Sequence, residues 1–230
     1  MTVTREDMRQ ALLLAAPVMM AYVSIGIPCG VMEAQVGFTP LMAFLFSASY
    51  YSGAGQFMVP NLWLAGTPLA SIFLSVSFVT SRQLLYSAAF SPHLRGERAA
   101  TKLAFASLVT DETFGVNLGQ YAAGAWDARR AILVNIFCVL SWSAANALGA
   151  ALGAVIDLPI DVMSFGMTAI FICLLAGQRW DRTNTLVAAV TAAVLVVGKL
   201  LGLGGMAIFA SAVVGVATGV AFDGGDGAEK

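Results

Sequence analysis

The chain alternates long apolar runs with short polar turns, and this alternation is its strongest structural signal. The runs cover approximately 11–32, 41–64, 69–90, 99–123, 132–154, 162–176, 183–197 and 206–221. A transmembrane helix needs about 20 apolar residues, or fewer where protein encloses the segment. A backbone in lipid must also satisfy its own hydrogen bonds, which favours helices. The pattern therefore predicts an all-α transmembrane bundle of seven or eight spans, in which the last two runs form either two crossings or one short hairpin.

The first run contains residues that interrupt helices. Gly26, Pro28 and Gly30 follow one another near its end. Proline removes one backbone hydrogen bond and crowds the preceding turn, so we expect the outer end of this helix to be loosened or broken. Unwound backbone at this position is a candidate for substrate binding.

The second run contains Gly53 and Gly55 around one alanine, followed by Gln56. One interpretation is an unwound segment, whose amides at a half-helix N-terminus bind a carboxylate while Gln56 adds a side-chain contact. The other is close helix packing through the glycines, with Gln56 bonded to a neighbouring helix. The sequence leaves both open.

Three charged residues lie within apolar runs, at Arg82, Asp111 and Glu112. A charge at bilayer depth costs about 2.5–3.5 kcal/mol on insertion scales, so we expect these side chains to face a polar cavity or a partner. Arg82 suits a substrate carboxylate or an internal ion pair with one of the acids. Adjacent residues point about 100° apart on a helix, so one acid can face the substrate path while the other pairs with Arg82 or caps a broken helix. The alternative is two acids at a helix end near the membrane interface.

Composition places the whole chain in one class. Of 230 residues, 59% are hydrophobic and 11% charged, whereas soluble domains carry about 25% charged residues. The mean hydropathy is +0.82. We therefore expect a single transmembrane domain over 1–222 within the lipid bilayer, followed by a mobile acidic tail over 223–230. The net charge of −1 gives no indication of nucleic-acid binding.

Other chemistries lack their characteristic residues. His93 is the only histidine, and the three cysteines show no Cys-x-x-Cys spacing, so we expect no metal site. No glycine-rich phosphate loop and no nucleophile motif is present. We expect neither a cofactor nor an enzymatic activity.

The polar turns suggest an orientation. The charged N-terminus leads into an apolar run too long for a signal peptide, so we expect the first span to be retained. With both termini inside, the cytoplasmic side would carry Arg5, Arg9, Arg129, Arg130, Arg179 and Arg182. This fits the excess of positive charge in cytoplasmic loops. The same arrangement places Arg95, Arg98 and Lys102 outside, against the rule.

Several motifs, taken in order, resemble those of a known family. They are Gly-x-Pro-x-Gly at 26–30, Tyr51-Ser52-Gly53-Ala54-Gly55-Gln56-Phe57, Arg82-x-x-Leu85-Tyr86, Pro92-His93-Leu94 and Thr110-Asp111-Glu112-x-Phe114. Over approximately residues 15–153 the chain resembles the AzlC family of branched-chain amino acid exporters. That family often has Asn at the position of Thr80 and His at that of Gln83, and this chain departs from the pattern at both.

The resemblance implies a function that the residues alone do not. It implies a secondary transporter of the cytoplasmic membrane that exports Val, Leu and Ile, and in some members Met or analogues. It also implies coupling to the proton gradient and a small hydrophobic partner subunit of the AzlD type.

The residues suggest how such a carrier would bind its substrate. Backbone near 26–30 and 53–56 would hold the α-carboxylate, and an apolar side chain would lie among Phe44, Phe57 and Met58. Asp111 or Glu112 would bind the α-ammonium group or a coupling proton, and Arg82 would complete the charge balance. The alternative function is a channel-like pore or a membrane assembly subunit without coupled transport, which should tolerate Asp111→Asn and Glu112→Gln.

Overall fold

A computed structural model describes residues 3–124, 126–155, 180–203 and 205–226, together with isolated positions between 165 and 176. The sixth predicted run, 162–176, lies largely outside the described residues, as does the end of the predicted tail, 227–230. All regular elements of the described part are helices. The prediction of an all-α membrane fold is confirmed.

The described helices follow the predicted runs, although several runs are divided. They are α1 (Arg5–Gln35), α2 (Pro40–Ser49), α3 (Gly53–Leu64), α4 (Leu69–Thr80), α5 (Arg82–Phe90), α6 (Ala99–Leu108), α7 (Asp111–Ala122), α8 (Ala128–Gly153), α9 (Arg182–Leu200) and α10 (Gly205–Asp226). Four segments are long and apolar enough to cross a membrane: α1, α4 with α5, α8 and α9. The total of seven or eight spans stays a prediction. Because α10 continues to Asp226, it extends into the region expected to be a mobile tail.

The expected break in the first helix is wrong. α1 continues without interruption from Arg5 to Gln35, with Pro17 and Pro28 inside it. Neighbouring helices can compensate for the hydrogen bond that a proline removes within a membrane helix. Here α8 packs along the same stretch of α1 and supports it.

The second run is broken, but before the segment 53–56 at which one of the two interpretations placed unwound backbone. The interruption lies at Tyr50, Tyr51 and Ser52, and Gly53 to Gln56 form the first turn of α3 rather than unwound backbone. A matching interruption separates α6 from α7, where Val109 and Thr110 are extended.

The centre of the fold is the contact between α1 and α8, which run parallel. Asp7 pairs with Arg130 near the start of both helices, and the Ser141 hydroxyl donates to the Met19 carbonyl further along. Near the end, a Cβ at Gly30 would lie 1.9 Å from the Asn146 carbonyl oxygen. Small residues allow two membrane helices to approach this closely.

The remaining helices surround this pair. α2 and α6 pack on α8, α3 packs on α1 and α4, and α7 packs on α1, α5 and α8. α9 and α10 form a separate antiparallel pair that touches the rest through α4. The fold therefore gathers the starts of α3, α5 and α7 beside the α1–α8 contact.

Candidate functional site

A small cavity lies where these three helices begin. Its lining residues are Tyr22, Ile25, Tyr51, Ser52, Gly53, Ala54, Arg82, Gln83, Thr110, Asp111, Glu112 and Trp142. The cavity volume is about 40 Å³. On the same measure one water needs about 10–15 Å³, so the cavity holds about three waters.

One wall of the cavity is the start of α3. The Ser52 hydroxyl accepts a hydrogen bond from the Gly55 amide and caps the helix. The amides of Gly53 and Ala54 belong to the same turn, where N–H groups have no partner inside the helix. No acidic residue lies in the first turn of α3, so the positive end of its dipole is not neutralised locally.

The interruption before α3 is held by the junction of α4 and α5. The Gln83 side chain donates to the Tyr51 carbonyl at 2.9 Å, and the hydroxyls of Tyr50 and Thr80 lie 2.6 Å apart. Thr80 and Gln83 are the two positions at which the sequence departs from the family pattern. Both residues therefore contact the non-helical segment at 50–52 or the residue that begins it.

The opposite wall is the start of α7. Thr110 caps this helix in a reciprocal arrangement with Thr113, a role that its position before two acids made plausible. The Thr110 hydroxyl also lies 2.7 Å from the Tyr22 hydroxyl of α1. Tyr22 in turn donates to Glu112 Oε2 at 2.8 Å, so the first helix and the start of α7 are joined directly.

The two acids at the start of α7 have different partners. Asp111 Oδ2 lies 2.5 Å from Arg82 Nη1, which is the internal ion pair that the sequence left as one option. No cation pairs with Glu112 among the described residues, and Glu112 accepts its hydrogen bond from Tyr22. The cavity therefore contains one acid paired with a cation and one acid without a cationic partner among the described residues.

Gln56 takes part in a second polar cluster, behind the cavity wall. Its amide nitrogen donates to Glu33 Oε1 at 3.0 Å and to Ser47 Oγ at 2.7 Å, and the Trp142 indole donates to its carbonyl oxygen. Glu33 and Gln56 are both fully buried. These contacts correspond to the second interpretation from the sequence, in which Gln56 forms hydrogen bonds with neighbouring helices.

The structure separates the predicted site residues into two groups. Those that line the cavity are Gly53, Arg82, Asp111 and Glu112. Those that do not are Gly26, Pro28, Gly30, Gly55 and Gln56. Gly26 and Gly30 pack against α8, and Gly55 faces the Tyr50 hydroxyl, so their small size serves packing. Phe44, Phe57 and Met58 also lie outside the lining, where Ile25, Tyr51 and Trp142 supply the apolar surface instead.

Sequence reasoning missed four polar or aromatic residues of this region. They are Tyr22, Trp142, Ser47 and Glu33. Each lies inside or beside an apolar run, where an aromatic residue, a serine or a terminal acid is common. One sequence feature could have identified them: each has a polar side-chain atom and lies within about two helical turns of a glycine or proline.

The described residues contain no group of three metal-ligating side chains. His93 stacks on Tyr121, with ring centres 4.8 Å apart, and belongs to an aromatic cluster with Phe90. The cavity lining combines side chains that can carry opposite charges, such as Arg82 and Glu112, with apolar ones.

The chain is similar to several known membrane proteins. It is 28% identical to an uncharacterized membrane protein of Archaeoglobus fulgidus over 90% of this chain and 91% of the relative. It is 26% identical to the branched-chain amino acid transport protein AzlC of Bacillus subtilis, over 86% of this chain and 77% of the relative. It is also 26% identical to the inner membrane protein YgaZ of Escherichia coli, over 88% and 84%. No solved structure matches.

The family profile described as AzlC protein matches residues 17–156, which contain the whole cavity. That match covers more than half of the chain. The chain therefore belongs to the AzlC family of membrane transport proteins.

Proposed function

We propose that this chain is a secondary transporter that exports branched-chain and other apolar amino acids across the cytoplasmic membrane. Export is driven by the proton gradient and carried out with a small hydrophobic subunit of the AzlD type. The Bacillus subtilis relative, named as a branched-chain amino acid transport protein, supports the substrate class.

The observation that carries the proposal is the placement of groups of opposite charge on two walls of one cavity that also has an apolar surface. The start of α3 offers the amides of Gly53 and Ala54 to a carboxylate, and the first turn of this helix contains no acid of its own. Glu112 offers an oxygen to an ammonium group. A free amino acid carries both groups, and the aliphatic and aromatic surface of Ile25 and Trp142 suits an apolar side chain.

Arg82 and Asp111 act together in this arrangement. Because they neutralise each other, neither attracts the substrate as an isolated charge. Their contact instead joins the start of α5 to the start of α7. The cavity holds only a few waters, so a leucine enters only when these helix starts move apart.

The proposal predicts a specific effect of Glu112→Gln. A hydrogen bond to a charged group contributes about 1.5–3 kcal/mol, so losing the charge should raise KM for leucine about 10- to 150-fold. The measurement is uptake of labelled leucine by proteoliposomes that contain the chain and its small partner, under an imposed pH gradient.

Glu97→Gln is the matched control, because it makes the same chemical change in the turn after α5 and outside the cavity. It should transport leucine as the wild type does. A wild-type protein that moves neither leucine nor valine would refute the transport function. Normal transport by Glu112→Gln would instead favour the channel-like alternative.

A further inference from the structure

Glu33 is an acid in an unusual position. It lies in the last turn of α1 and is 1% exposed. Its Oε1 accepts a hydrogen bond from Gln56, whereas Oε2 has no hydrogen-bond partner in the described part of the chain. Such an oxygen is rare in a folded interior, where buried polar atoms are nearly always paired.

No positive charge compensates this acid among the described residues. α2 and α3, which cover this end of α1, contain no ionisable side chain. The charged residues of α8, Arg129 and Arg130, lie at its opposite end, where they pair with Asp7. α7 meets α1 at Tyr22, about three turns earlier.

The two buried thiols of α1 and α8 do not compensate the charge of Glu33 either. Cys29 lies one turn before Glu33 on α1 and is fully buried. Cys138 of α8 is level with the middle of α1, because the two helices run parallel and Ser141 contacts Met19. Neither thiol can supply a positive charge to the carboxyl group.

This environment accepts the neutral acid and not the carboxylate. An isolated carboxylate in an apolar interior is costly, and such groups neutralise instead. A proton on Oε2 removes the charge and leaves Oε1 as the acceptor that Gln56 requires. The hydroxyl group that results also has no partner, but an unpaired neutral group costs much less than an unpaired buried charge. The carboxylate would need a donor or a cation at Oε2, and the described packing provides neither.

Gln56 connects Glu33 to the cavity wall. Its carbonyl oxygen accepts from the Trp142 indole, which fixes the amide so that the nitrogen points to Glu33 and Ser47. Trp142 lines the cavity, and Gln56 belongs to the first turn of α3. A change at Glu33 therefore reaches the same helix start that is proposed to bind the substrate.

We propose that Glu33 Oε2 binds the coupling proton and that Gln56 transmits its protonation state to the cavity. When the proton leaves Oε2 for a water molecule, the carboxylate that remains must gain hydrogen-bond donors. It can gain them only if the end of α1 separates from α2 and α3 and water enters. This inference rests on the proposed proton-coupled transport, and it assigns the coupling proton to Glu33 rather than to Asp111 or Glu112.

The first test separates exchange from gradient-driven transport. Glu33→Gln reproduces the shape of the neutral acid and cannot release a proton. In proteoliposomes with the small partner, the variant should exchange internal for external leucine as the wild type does, because exchange moves no net proton. It should lose accumulation driven by a pH gradient. Glu6→Gln, the same change at an exposed position of α1, should keep both activities.

The second test does not depend on transport. The infrared spectrum of the purified wild type at neutral pH should contain the C=O stretching band of a protonated carboxylic acid. The band should shift in protein labelled with ¹³C in the glutamate carboxyl groups, and it should be missing from Glu33→Gln.

The outcomes distinguish this inference from the function on which it rests. A wild type that moves no leucine refutes the transport function, and the infrared band then still decides the state of Glu33. Gradient-driven accumulation that survives in Glu33→Gln overturns the assignment of the coupling proton. So does the absence of the band in the wild type. If Glu33→Gln does not fold, the infrared band of the wild type and its shift on ¹³C labelling decide the inference, because neither needs the variant.

Discussion

At the scale of residues, Arg82 and Asp111 form an ion pair that is neither buried nor fully exposed. Their side chains are 30% and 15% exposed. Exposed pairs contribute about 0–1 kcal/mol, whereas removing one partner of a buried pair costs about 3–5 kcal/mol. The stability effect of this pair should lie between these limits, because the cavity gives it partial access to water.

We predict that Asp111→Asn and Arg82→Gln each destabilise the protein by about 1–3 kcal/mol. Each variant leaves one charge without its partner at the helix starts. The double variant should lose less than the sum, because no uncompensated charge remains. Thermal unfolding in detergent, combined as a double-mutant cycle, gives the coupling energy. Simple additivity would show that the contact contributes nothing.

The sequence could identify these residues, because charges inside apolar runs are costly wherever they lie. The sequence could not predict which of these residues contact each other. Asp111 and Glu112 are adjacent and chemically similar, yet Arg82 binds one and Tyr22 binds the other. That choice depends on where α5 and α1 lie around the start of α7. Glu33 escaped notice for the related reason that an acid after an apolar run is normally solvated.

At the scale of elements, the glycines of α1 and α8 determine how closely these helices approach. A Cβ at Gly149 would lie 2.1 Å from the Ile27 carbonyl oxygen, and one at Gly30 would lie 1.9 Å from that of Asn146. Both obstacles are backbone atoms, which cannot move aside as a flexible side chain can. The break predicted at 26–30 failed because Pro28 and its flanking glycines were interpreted as a weak point of one helix, whereas the glycines form part of the contact surface of two.

We predict that Gly30→Ala destabilises the protein by about 1–3 kcal/mol or more, since it overpacks this contact. Gly115→Ala is the matched control, because nothing lies within 4 Å of a Cβ at that position of α7. The control should be neutral or gain up to about 1 kcal/mol, because alanine favours helices. Thermal unfolding of both variants in detergent tests the difference. Equal stabilities would mean that the helices are further apart than the structure shows.

At the scale of the whole molecule, the parallel arrangement of α1 and α8 places both helix starts on one side of the membrane. Arg129 and Arg130 therefore lie on the same side as Arg5 and Arg9, and Asp7 joins the two groups. The positive-inside rule predicts that this side is cytoplasmic. The ends of both helices, and Val155 just after α8, lie on the opposite side.

We predict the labelling pattern of three single-cysteine variants in which the native cysteines are replaced by alanine. Val3→Cys and Ala123→Cys should react with a thiol reagent only when it crosses the membrane. Val155→Cys, whose position is 85% exposed, should react with an impermeant reagent from outside. Reaction of Val3→Cys and Ala123→Cys from opposite sides would contradict the parallel packing. Reaction of both from outside would mean that the membrane orientation is the opposite of the predicted one, while the parallel packing of α1 and α8 would stand.

The sequence by itself determined the class of this protein and the location of its unusual residues. The chain has too few charges for a soluble surface, apolar runs of membrane length, and charges inside those runs. These properties hold in any packing. They were sufficient to predict a helical membrane protein with Arg82, Asp111 and Glu112 at a polar site. The glycines at 53 and 55 left open a break in the second span, and the actual interruption lies at 50–52.

Only the tertiary structure decided which of these residues meet. The cavity exists because the interruptions at 50–52 and 109–110 come to the same place beside α1 and α8. That meeting depends on helix packing through small residues and on the hydrogen bonds of Tyr22, Gln83 and Trp142. Contacts between positions far apart in the chain leave no periodic pattern in the sequence. For the same reason the neutral surroundings of Glu33 became visible only when α2, α3 and α8 were in place around it.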